Sequence, residues 1–196
     1  MEEMNKMVVK TKKKINIFEW LHKTYKPLES FDEFCSNIKI TNEQIEKIID
    51  ISMFDLISLI IKDHINVYNK TNEDYNCPLF AFHLKKGIYV FNKTQTNENK
   101  DDISKFEKWE ELTSFQLIKW AANLQMNIAK KFQNWKKENE DDIKSNEHLN
   151  HLCDKALIKI VTPEFKTDKD LNKLKLCIFN LIKTDIKEII EYDFNI

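Results

Sequence analysis

The stretch NCPLFAFHLKKGIYVFN, Asn76–Asn92, contains Gly87, the single glycine in a chain of 196 residues. Phe80, Phe82 and Leu84 alternate along its first half, and Ile88 to Phe91 form a second apolar run. A period of two marks a strand, so the pair reads as a hairpin over about 78–92. Lys85-Lys86-Gly87 between them fits a three-residue loop whose last residue takes a left-handed conformation that glycine adopts without steric cost. Two strands are marginal by themselves. The terminal EYDFNI, where Tyr192, Phe194 and Ile196 alternate with polar residues, is the candidate third strand over about 190–196.

The rest of the chain carries helix grammar. Asn16…Glu19, Thr41…Gln44 and Thr113…Gln116 each place a capping residue three positions before an acid or amide, with apolar residues outside both, and Ser30…Glu33 has the box without the staple. These fix helix starts. The first helix stops at Tyr25-Lys26-Pro27, and a second covers roughly Phe31–Asn37. A third runs from Asn42 to about Asn66, with a candidate break near Asp50–Ser52. A fourth and longest runs from Ser114 to about Lys137, with Ile118, Ala121, Ala122, Ile128, Ala129, Phe132 and Trp135 on one face, widened by Leu117, Trp120 and Leu124. A fifth spans about Asn146–Val161, ended by Thr162-Pro163, and a sixth about Asp168–Lys183. Tyr68–Asn76 and Lys93–Lys105 read as polar loops, and residues 1–14 as a mobile basic arm. The expected fold is a helix-dominated α+β single domain over 15–196 with a small antiparallel sheet.

Composition bounds function. Hydrophobic residues make up 42% of the chain, enough to fill one sizeable core. The formal net charge is −1, so no whole-protein field draws nucleic acid or membrane. All 31 basic residues are lysine. The planar fork that reads guanine bidentately is therefore missing, although a bias to Lys, Asn and Ile fits an AT-rich genome in which exposed Arg drifts to Lys. Cys35, Cys77, Cys153 and Cys177 make no C-x-x-C pair and read as reduced, mostly buried thiols. The longest apolar run, Leu56–Ile61, is too short to span a bilayer, and MEEMNKMVVKTKKK lacks a secretory apolar core. The expectation is an intracellular chain with no membrane partner.

One glycine excludes a dinucleotide fingerprint, a Walker-type loop and a nucleophile elbow, each of which needs backbone to approach a ligand where a side chain would clash. His148, His151 and Cys153 are the best metal candidates. On a helix His151 and Cys153 diverge by about 160°, so a core cysteine with two solvated histidines is the favoured reading, and no metal or cofactor is assigned. His22 and His64 read as helix-end and surface residues, and His83 faces the side opposite Phe82. Glu138, Glu140, Asp141 and Asp142 crowd one loop and read as a solvated run. Lys10, Lys12, Lys13 and Lys14, with Lys85 and Lys86 at the hairpin tip, are the candidate nucleic-acid contacts. A solubilising tail and ordinary turn chemistry explain the same residues.

The order of an apolar helix, Pro78 opening a strand, Lys85-Lys86 at the turn, Tyr89-Val90 in the return strand, an acidic linker with Trp109 and a helix ending Phe132…Trp135-Lys136-Lys137-Glu138-Asn139 resembles a module recurrent in proteins of giant, nucleocytoplasmic large DNA viruses. The resemblance covers roughly Ile45–Asn139. Phe80-Ala81 stand where that module has His-Cys, His83 where it has an acid and Lys86 where it has arginine, and the turn is one residue shorter. It carries no catalytic activity to this chain and implies recognition or assembly, in the cytoplasm or viral factory of a host cell or in the virion. The expected function is a non-enzymatic module binding other proteins. A DNA-associated factor with weak, non-specific phosphate contacts is second, and an enzyme without a recognisable site third.

Overall fold

The structure, a computed structural model, describes residues 16–71, 77–83, 85–95, 105–162, 164–165 and 167–184. The arm with Lys10, Lys12, Lys13 and Lys14, and the candidate strand 190–196, lie outside the described residues.

Helix α1 (Ile17–Thr24) starts where the Asn16 side chain accepts from the Phe18 N–H, and it ends before Pro27. Helix α2 (Phe31–Ser36) and helix α3 (Asn42–Glu46) open with complete capping boxes, Ser30 with Glu33 and Thr41 with Gln44. Each box satisfies two donors that the first turn would otherwise leave bare, worth about 1 kcal/mol at the cap residue. The candidate break in the third helix is real. A 3-10 turn, Lys47–Ile49, follows α3, and α4 (Met53–Thr71) begins after Ser52. Tyr68, read as loop, is helical.

Strand β1 (Leu79–Phe82) and strand β2 (Lys85–Gln95) form the expected hairpin, but its turn is displaced. Phe82 pairs with Lys85 and Ala81 with Ile88, so Lys86 and Gly87 form a bulge in β2, and His83 lies in the turn. Gly87 has no left-handed φ. Its constraint is lateral instead: a Cβ there would meet the Tyr89 hydroxyl at 3.3 Å and Glu111 Oε1 at 3.4 Å. The residues read as an acidic linker are strand β3 (Lys105–Glu111), antiparallel to β2 with Phe91 opposite Trp109. Short β4 (Lys183–Thr184) joins β1 in parallel, giving the order β3-β2-β1-β4. The sheet is small, as expected, and antiparallel except at β4.

Helix α5 (Ser114–Glu138) starts at the Thr113–Gln116 box, with Leu112 and Leu117 both buried as its staple. The acidic run is not a loop: Glu140–Ser145 forms helix α6. Helix α7 (Glu147–Val161) and helix α8 (Asp168–Ile182) follow, each N-capped by a side chain, Asn146 and Thr167.

Alternation sorts the sheet into two faces. Leu79, Ala81, Ile88 and Val90 join the main core with α2 to α8. Phe80, Phe82, Tyr89, Phe91 and Trp109 face the other way and are covered by Leu21 of α1, with Ile17, Trp20 and Tyr25 at the edge. Trp20 meets Phe80 edge-on at 5.9 Å between ring centres, and Tyr25 meets it at 4.9 Å. Aromatic pairs in such offset geometry add about 1 kcal/mol beyond their buried area.

Candidate functional site

The long helix α5 decides what the surface offers. Its core face is Leu117, Trp120, Ala121, Leu124, Ile128, Phe132 and Trp135. Ile118 and Ala122, expected on that face, are exposed instead. The helix has more apolar residues than one buried stripe holds, and the surplus lies on the far side. Phe115 is 75% exposed, Ile118 43% and Met126 50%, and with Ala122 they form a row at i, i+3, i+7 and i+11.

Two features frame this row. On one flank Gln125 donates its side-chain amide to the carbonyls of Ile160 at 2.7 Å and Thr162 at 3.0 Å. That ties down the last turn of α7, which bears Ile158, 64% exposed, and Val161, 65% exposed. On the other flank a groove of about 480 Å³ separates α5 from α2. Phe31 and Trp120 both line it and stand edge-to-face at 5.4 Å. Gln116, Lys119, Asn123 and Asn127 line its α5 wall, and Asp32, Cys35 and Ser36 its α2 wall. Lys119 and Asp32 approach to 3.6 Å with both side chains largely exposed, a loose contact of little energy.

The groove's one thiol is not set up as a nucleophile. Burial pushes the Cys35 thiol well up, and the Asp32 charge pushes it further, with Lys119 opposing. A protonated thiol attacks poorly. Cys77, deeply buried, is pushed up to about 12.

The other sequence candidates are scattered. Lys85 and Lys86 open β2 beside the turn. His148 and His151 are exposed on α7 whereas Cys153 is wholly buried, so the three diverge as the helical wheel requires. His22 is exposed at the last turn of α1, and His83 is exposed with its backbone N–H donated to the Thr184 carbonyl. His64 is half-buried rather than fully on the surface: its ring lies 4.4 Å from that of Phe34, and Nε2 is 3.1 Å from the Phe34 carbonyl. Burial lowers its pKa, and the carbonyl contact opposes this without winning. Glu138, Glu140, Asp141 and Asp142 are exposed. Among the described residues no helix is long and apolar enough to cross a membrane, and no group of three or more His, Cys, Asp or Glu side chains could hold a metal ion.

Sequence reasoning missed the groove and the exposed row. A signal existed for the row: Phe115 lies outside the face drawn through the helix, yet Ile118, Ala122 and Met126 continue its spacing. Comparisons with family models, curated proteins and solved structures found no match.

Proposed function

We propose that this chain is a non-enzymatic interaction module that binds other proteins. One observation carries the reading, the exposed row Phe115–Ile118–Ala122–Met126 on α5. Single exposed apolar residues are ordinary, but a contiguous row beside a groove is the usual mark of a binding surface. The proposed setting is a large DNA virus, acting inside the infected cell or in its virion, and it rests on the resemblance of Ile45–Asn139 alone.

A second reading, a DNA-associated factor, is supported by the arm lysines Lys10, Lys12, Lys13 and Lys14 and by the place of Lys85 and Lys86 together at one end of the sheet. The two part under deletion of residues 1–14. Nuclease-treated affinity capture from infected cells should give the same protein partners with or without the arm, and fewer with the double substitution Phe115→Gln, Ile118→Gln. DNA binding should stay in the non-specific range of roughly 10⁻⁴–10⁻⁶ M at physiological salt. Nanomolar, sequence-selective DNA binding would promote the second reading over the first.

A further inference from the structure

We propose that the row on α5 receives an amphipathic helix of a partner protein whose apolar stripe is flanked by acidic residues. The inference rests on the protein-binding reading and names the chemistry of the partner.

Length and shape argue for a helix. The row from Phe115 to Met126 covers about 16 Å at 1.5 Å per residue, three turns of a facing helix. The groove toward α2 opens along the same side, since Lys119, Asn123 and Met126 belong to its wall. A helix laid on the row can drop one large side chain between α5 and α2, onto Phe31 and Trp120, as helix-in-groove binding does. The amides of Asn123 and Asn127 on the α5 wall meet polar atoms at the border of that side chain. On the far flank the last turn of α7, fixed by Gln125, extends the apolar surface through Ile158 and Val161.

Charge selects the acidic partner. Across α5 there are five lysines and one acid, Glu138, at the last position. Lys119 and Lys130 are exposed and lie on the groove side of the row, and no acid stands on the helix between Ser114 and Lys137. Asp32 reaches Lys119 only loosely, so the Lys119 ammonium can turn to a carboxylate from outside, and Lys130 is exposed on the same side of the helix. A second copy of this chain is disfavoured by the same charges. In an antiparallel self-pair equal flanks face each other, so the lysine side would meet itself, and like charges in register oppose association.

The test uses the full chain and three stapled peptides: a leucine-stripe helix flanked by glutamate, the same stripe flanked by lysine, and a glutamate-rich sequence with the stripe scrambled. Fluorescence anisotropy should show the glutamate-flanked helix binding about tenfold or more tighter than the lysine-flanked one at low salt, with the gap closing as salt rises. The scrambled peptide should not bind. Phe115→Gln with Ile118→Gln should abolish binding at an unchanged melting temperature. Lys119→Glu with Lys130→Glu should invert the preference toward the lysine-flanked peptide. Equal binding of both flanks, failure of the charge swap to invert them, or no binding by either helix overturns the proposal. So does self-association in sedimentation that Phe115→Gln removes, or binding to phosphatidylserine-containing vesicles in place of the peptide. If the peptides fail while Phe115→Gln, Ile118→Gln still loses captured partners, the acidic-helix assignment falls and the protein-binding reading stands.

Discussion

Lys159 of α7 holds the carbonyl of Ile49 at 3.0 Å from its ammonium nitrogen. The same nitrogen donates to the carbonyls of Ile48 at 2.9 Å and Ile51 at 3.0 Å. These oxygens lie where the 3-10 turn ends and α4 has not begun, where a helix terminus leaves acceptors unpaired. One lysine from the far end of the chain therefore caps the break that Lys47–Ile51 puts into the third helical segment.

Lys159→Met should lower stability by about 2–3 kcal/mol, because three carbonyls lose a charged donor while the aliphatic stem is kept. Lys155→Met, at an exposed position of the same helix, should be near neutral. Urea midpoints compare them. Equal midpoints for the two variants would mean the cradle contributes nothing.

Gly87→Val should destabilise by about 1 kcal/mol through crowding rather than backbone strain. The added Cβ meets the Tyr89 hydroxyl, so Tyr89→Phe should recover part of the loss by removing the crowding oxygen. A double variant no more stable than Gly87→Val would assign the cost elsewhere in the bulge.

His64 gives stability a pH dependence of defined sign. Its folded pKa lies below the ordinary value because burial disfavours the charged ring. The native state keeps the ring neutral while the unfolded chain takes up a proton, so stability falls as pH drops below about 6.5 and levels off beneath the folded pKa. His64→Gln should flatten the slope of unfolding free energy between about pH 7 and pH 5.5. An unchanged slope would move the effect to other groups.

Zinc and chelators should leave the melting temperature unchanged, because Cys153 points into the core and His148 and His151 into solvent. Purified protein that holds one equivalent of zinc, and melts lower after its removal, would contradict the divergence on α7.

The helix starts were legible because caps are local: Ser30, Thr41 and Thr113 make their hydrogen bonds within four residues. The strand β3 was hidden by its composition. Lys105–Glu111 reads KFEKWEE, a charged run, and its Trp109 lies in the aromatic cluster. The turn was misplaced for a related reason. Glycine suggests a loop to a local reading, whereas the pairing of Ala81 with Ile88 and Phe82 with Lys85 is set by which side chains each face buries. Lys159 carries no local signal of its role, since its partners lie more than a hundred positions away. Of the candidate site, the row on α5 was present as a spacing but merged with the core face. The groove depends on where α2 docks, which no local pattern encodes.

The covering of the sheet by α1 also sets an order of events during synthesis. Helix α1 is the first described element to leave a ribosome, yet its docking surface, Phe80 to Trp109, is made long afterwards. Strand β4 then reaches β1 only after α5 to α8 have been translated. A nascent chain halted after β1 and before α8 thus presents either an uncovered aromatic face or an unpaired edge of β1, and such surfaces attract chaperones or other nascent chains. Ribosome-bound lengths ending before Asp168 should remain protease-sensitive throughout, and protection should arrive late and together for α1, the sheet and α8.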